Sequence, residues 1–203
     1  MGFAPWSSER RETAYLGAGV ERSVKILIAG NFGVGKTTLV GAISEIEPLR
    51  TEEIMTQAGA AVDDLAAASS KNTTTVAMDF GRLSLNRSLV LYLFGAPGQQ
   101  RFHPLWRDLA YGALGALVLA DPRRLEASFP VMDMVEEHGL PYAVAVNQFD
   151  DAPAVDLAAL RGALDLLEET PLVVCDARHR ASAAQALITL VQYLLTRATK
   201  EPV

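Results

Sequence analysis

From Val24 onward the chain changes rhythm at regular intervals. Short apolar runs alternate with segments whose apolar positions recur every three or four residues. The runs "VKILIA" (Val24–Ala29), "YAVAVN" (Tyr142–Asn147) and "LVVCDA" (Leu172–Ala177) are nearly continuous, the pattern of strands covered on both faces. "TTVAMDFGRLSL" (Thr74–Leu85) and "LVLYLF" (Leu89–Phe94) read as two strands joined through "NRS" in a hairpin. "GALVLA" (Gly115–Ala120) is a further strand. Helices are predicted at "TTLVGAIS", ending before Pro48, at "RFHPLWRDLAYG", at "AVDLAALRGAL" and at "SAAQALITLVQYLL". Another is capped by Ser128, carries Pro130 in its first turn and closes at Gly139. Strands alternating with helices predict an α/β fold. The expected architecture is a six-stranded, mostly parallel sheet with one antiparallel edge strand and helices on both faces.

Two regions break the rhythm. Residues 1–22 mix Pro, Ser, Arg and Glu without a period and read as a largely flexible tail, leaving 23–203 as one domain. Between Pro48 and Asn72 no strand is expected, only a weak helical hint at "TEEIMTQAG" and an Ala-rich run. A connection of that length inside a compact domain points to function or disorder.

The first strand runs into "AGNFGVGKTTLV" (Ala29–Val40), which contains Gly-x-x-x-x-Gly-Lys-Thr from Gly30 to Thr37. The glycines let the backbone wrap an anion, so that the N–H groups of Asn31 through Thr38 and a helix N-terminus converge on phosphate. Lys36 supplies positive charge to the β- and γ-phosphates, and the Thr37 hydroxyl is a Mg²⁺ ligand. The pattern follows a predicted strand and opens a predicted helix, as its mechanism requires. This places the chain among P-loop NTPases.

Composition narrows the partners. A formal charge of −6 with no basic run argues against nucleic acid. The single cysteine, Cys175, cannot form an internal disulfide and fits a reducing compartment. The most apolar stretch, Tyr111–Ala120, is too short and glycine-broken to span a bilayer. No signal-peptide core is present, and Trp6 stands where a myristoylation signal requires Ser or Thr. The expectation is a cytoplasmic protein with at most peripheral membrane association.

The strand "YAVAVN" ends in "NQFD" (Asn147–Asp150), which resembles the Asn-Lys-x-Asp element of Ras-like GTPases, with Gln148 in place of the lysine. A carboxylate at Asp150 accepts two hydrogen bonds from guanine N1–H and N2–H₂. Adenine offers no donor there and would leave it unpaired. "TVAMDF" (Thr75–Phe80), "GAPGQQRF" (Gly95–Phe102) and "YGALGALVLAD" (Tyr111–Asp121) are similar to segments of the Rab and Arf branches of the Ras superfamily, in the same order. More narrowly, the chain resembles the small bacterial GTP-binding proteins of actinobacterial conservons.

That resemblance implies GTP and GDP with Mg²⁺, Thr75 as a second metal ligand, and Gly98 against the γ-phosphate. It implies Gln99 as the residue that orients the attacking water. "CDAR" places the Ala177 N–H at guanine O6, with Arg178 beside it. It also implies a Roadblock-type regulator and a histidine-kinase-like membrane signalling protein as partners. The chain departs from the pattern at Gly95, where relatives carry the aspartate that holds Mg²⁺ through water, so Asp79 or extra waters must compensate. Gln148 lacks the aliphatic stem that packs on the base. Phe32 occupies a loop position that is small in fast-hydrolysing relatives. Two placements are open to its ring: crowding Gln99 on the γ-phosphate side, or turning outward under the long loop. Both predict slow turnover. The expected function is a bacterial GTP/GDP switch with slow, partner-assisted hydrolysis. The alternatives are a nucleotide-loaded scaffold with little hydrolysis, or an ATP-using P-loop kinase in which "NQFD" has no role.

Overall fold

The computed structural model describes residues 22–55, 74–98, 102–152 and 156–200. In chain order the elements are β1 (Arg22–Gly30), α1 (Lys36–Ile43), β2 (Leu49–Met55), β3 (Thr74–Ser84), β4 (Leu89–Gly95), α2 (His103–Ala110) and β5 (Ala113–Ala120). They continue with a short 3₁₀ turn, α3 (Phe129–Glu137), β6 (Tyr142–Asn147), α4 (Leu157–Ala163), β7 (Leu172–Cys175) and α5 (Arg180–Lys200). The strands form one sheet in the order β2-β3-β4-β1-β5-β6-β7. β4, β1, β5, β6 and β7 run parallel, whereas β3 is antiparallel to β4.

The expected six strands and their antiparallel member are thus all present, and β2 extends that edge as a seventh strand, antiparallel to β3. This corrects the expectation of no strand after Pro48. "LRTEEIM" carries too many charges to read as a buried strand. Its backbone is ordered by pairing Leu49 with Phe80 through Met55 with Thr74, a long-range contact that local pattern does not report.

Alternation along each strand divides the core. Ile26, Ile28, Leu91, Leu93, Leu117 and Leu119 face α1 and α5, packing on Leu39, Val40, Ile43, Leu187 and Leu190. Leu27, Ala29, Val118, Val144 and Val146 face the opposite way, onto Trp106 of α2 and onto Val131, Met134 and Val135 of α3. Both faces are covered, which is why these strands read as continuous apolar runs. The helix caps vary. Asp156 caps α4 by accepting from the Ala158 and Ala159 N–H groups. Ser128 holds the N-cap position of α3 but makes no side-chain cap hydrogen bond, because the 3₁₀ turn Leu125–Ser128 already winds into the helix. Among the described residues no helix is long and apolar enough to cross a membrane.

Candidate functional site

The loops that carry Lys36, Thr37, Gly98, Asn147, Asp150 and Ala177 gather at the C-terminal ends of the parallel strands. The loop after β1 leaves Gly30 at φ 142°, passes Gly33 at φ 78°, and enters α1 through Gly35 at φ 106°. At Gly35 two demands coincide. The left-handed backbone suits glycine, and a Cβ there would lie 2.7 Å from Asn147 Nδ2. The buried Asn147 carboxamide closes the site from the other side. It donates to the Val34 carbonyl at 2.9 Å and accepts from the Ala177 N–H at 2.9 Å, tying three loops together.

Lys36 folds back over this loop, donating to the carbonyls of Gly30 at 2.7 Å and Asn31 at 3.0 Å. Burial pulls its ammonium down to about 8, against the opposing attraction of the Asp79 carboxylate. The Thr37 hydroxyl donates to Asp79 Oδ2 at 2.5 Å. Gly98 packs so tightly on the Gly30 carbonyl that any side chain there would overlap it. The segment after β4 is held by the Ala96 N–H to the Ile28 carbonyl at 2.9 Å, and by buried Trp106, whose Nε1–H donates to the Pro97 carbonyl at 3.1 Å.

Beside the loop a cleft of about 330 Å³ is lined by Gly33, Gly35, Thr38, Asn147, Gln148, Phe149, Asp150, Asp151, Ala177 and Arg178. It contains every residue expected at the base. Arg178 reaches Asp150 Oδ1 with Nη1 at 3.0 Å and Asp176 Oδ2 with Nη2 at 2.9 Å. The Asp150 side chain is 86% exposed in this unliganded cleft. Its desolvation therefore has to come from the ligand itself. Hydrogen bonds from Arg178 hold the Asp176 carboxyl well below the usual carboxylate range.

A second brace was missed from the sequence. Buried Asp121, at the end of β5, binds Arg123 at 2.9 Å, and Arg123 reaches Asp151 at 2.7 Å. The Arg123 guanidinium lies 3.7 Å over the Phe149 ring, bracing the loop after β6 from outside. The only hint was an acidic residue closing an apolar strand. Cys175 is fully buried, and burial pushes its thiol up to about 11.

Other expectations concern the loop after β1 and the end of β4. Phe32 is 71% exposed, and both neighbours expected for its ring, Gln99 and the long loop, fall outside the described residues. Gln99 and the Thr75 side chain lie outside the described residues, as do residues 1–21 and 56–73. The space at Gly95 is not open. A Cβ there would lie 3.0 Å from Asp79 Cβ and 3.2 Å from Asp79 Oδ2.

This architecture is shared with known G domains. The G domain of the T. maritima FeoB iron transporter superposes with a TM-score of 0.59 at 17% identity, covering 85% of this chain and 99% of that one. The FeoB G domain from Methanococcus jannaschii gives 0.56 at 16%, covering 85% and 98%. The T. maritima FeoB cytosolic domain in a GDP form gives 0.60 at 18%, covering 87% of this chain and 65% of that one. At such identities the likeness speaks for the fold. No curated protein matches the sequence. The family described as "Conserved hypothetical ATP binding protein" matches residues 28–197, from the end of β1 to the last turns of α5. With the phosphate loop, the Asn147 bracket and the base cleft all inside that span, the chain belongs to this family of conserved hypothetical ATP-binding proteins.

Proposed function

We propose that the protein binds GTP and GDP and works as a cytoplasmic molecular switch in bacterial signalling, with slow intrinsic hydrolysis that a partner assists. The observation that carries this reading is a single cleft where the phosphate loop, the Asn147 bracket and the Asp150 carboxylate converge. The loop amides and Lys36 hold the phosphates. Asp150 and the Ala177 N–H read the base, and Arg178 takes the flank left by Gln148. Gly98, already against the loop, is placed to sense the γ-phosphate, and Gln99 next to it would orient water. Changes in the segments after α1 and β4 would then alter partner choice. By resemblance to conservon proteins, those partners are a Roadblock-type regulator and a histidine-kinase-like membrane signalling protein.

Mg²⁺ belongs to this reading. The donor set fits it: a threonine hydroxyl and a carboxylate, both hard oxygens, stand together beside the phosphate loop. Thr37 would hold the ion, with Thr75 as the second threonine that the resemblance implies. When bound, Mg²⁺ neutralises charge on the β- and γ-phosphates.

The family's description favours a second reading, ATP as the nucleotide. Competition of GTP, GDP, ATP and XTP against a fluorescent GDP decides between them. The guanine reading expects ATP to compete at least about 100-fold more weakly than GTP. Equal or tighter ATP binding would replace guanine by adenine. Single-turnover hydrolysis, with and without a Roadblock-type protein, separates a switch from a scaffold that stays loaded.

A further inference from the structure

We infer that Asp79 supplies the carboxylate of the divalent-cation site, from β3 instead of the end of β4. Gly95 is glycine because that carboxylate occupies its space. The inference rests on the nucleotide-binding reading above and deepens it.

Three observations meet at one point. Asp79 is only 8% exposed, although it is an acid on a strand. Its Oδ2 accepts the Thr37 hydroxyl proton at 2.5 Å, across 42 residues of sequence. The ideal Cβ of Gly95 would sit 3.0 Å from Asp79 Cβ, 3.2 Å from its Oδ2 and 3.4 Å from its backbone N. A side chain at Gly95 would therefore press on Asp79, which would have to give by a few tenths of an ångström. β3 and β4 are adjacent antiparallel strands, and Phe80 pairs with Phe94, so Asp79 and Gly95 face each other across the ladder.

The chemistry follows from hydroxyl bookkeeping. Thr37 has one proton and two lone pairs. Giving the proton to Asp79 leaves the lone pairs for a hard cation on the phosphate side. The carboxylate adds negative charge next to the ion and an acceptor for the waters that Mg²⁺ retains. An acid at Gly95 is therefore not missing. Its role has moved to the neighbouring strand.

The test measures release of a fluorescent GDP from the full chain, in excess Mg²⁺ and in EDTA, with the Mg²⁺ midpoint of the rate. Wild type should release nucleotide about tenfold or more faster in EDTA. Asp79→Asn should still bind in EDTA but lose that acceleration, or shift the Mg²⁺ midpoint upward about 10–100-fold. Gly95→Asp alone should bring no gain and should lower the melting temperature, because two carboxylates compete for one space. The exchange Asp79→Gly with Gly95→Asp should recover most of the Mg²⁺ dependence. This double variant is judged independently if Asp79→Asn does not fold. Unchanged Mg²⁺ dependence in Asp79→Asn overturns the inference, as does a nucleotide-binding exchange variant indifferent to Mg²⁺. A wild-type protein that binds no nucleotide overturns the functional reading first, so the two failures are told apart.

Discussion

Asn147→Ala is the sharpest probe of how this site is held together. The carboxamide is 4% exposed and joins two residues, Val34 and Ala177, that are each 1% exposed. Removing it strands the Val34 carbonyl and the Ala177 N–H, both bonded at 2.9 Å in the native protein. A buried polar group left without its partner costs about 1–3 kcal/mol, so two give about 2–6 kcal/mol. Water entering from the adjacent cleft brings the expectation to about 2–4 kcal/mol. For a chain of this length that is a fall in Tm of roughly 5–15 °C. The same change unties the phosphate loop from the loops after β6 and β7, so on the proposed reading nucleotide affinity should fall as well. Urea unfolding of the nucleotide-free protein gives the first quantity, and fluorescent-nucleotide titration gives the second. Asn147→Asp keeps the acceptor for Ala177 N–H but sets a carboxylate against the Val34 carbonyl. It should be at least as damaging as the alanine. A loss below about 0.5 kcal/mol in Asn147→Ala would show that the three loops are positioned without this bracket.

Further outcomes follow from the same geometry. Asp150→Asn should weaken GTP binding and shift preference toward xanthine nucleotides. The effect should be about 10–100-fold, since the carboxylate is exposed before the base covers it; equal GTP affinity in both proteins would remove Asp150 from the base site. Phe32→Gly should leave stability within about 0.5 kcal/mol, because the ring is 71% exposed. If the ring crowds Gln99 in the GTP state, single-turnover hydrolysis should rise up to about tenfold, and Gln99→Ala in that background should cancel the gain. On the acid side, Asp176 is held below its ordinary value by hydrogen bonds from Arg178, and Asp121 by hydrogen bonds from Arg123. A carboxyl whose folded pKa is depressed contributes stability above its unfolded pKa and loses it as pH falls through the folded one. Arg178→Met should therefore lose less stability than wild type on acidification below about pH 4. Parallel acid-denaturation curves for the two proteins would count against that ion pair.

By itself the sequence determined whatever depends on neighbours along the chain. The apolar runs marked the parallel strands, because burial on both faces leaves no polar alternation. The glycines and Lys36 marked the phosphate loop, because its anion site is built from consecutive N–H groups. "NQFD" marked a loop that the structure brings to the same cleft, because its four residues are consecutive in the chain. What only the tertiary structure decided are contacts between distant residues. β2 is a strand because β3 offers it a partner, not because "LRTEEIM" is apolar. Asn147 closes on Val34 across 113 residues, and Arg178 meets Asp150 across 28. The clearest case is Gly95. Read in line, it is only a glycine at the end of an apolar strand. In the folded sheet the antiparallel pairing of β3 and β4 brings the Asp79 side chain into tight contact with that position. A strand ladder brings residues together by register, and register follows from the whole sheet, so no window of sequence contains it.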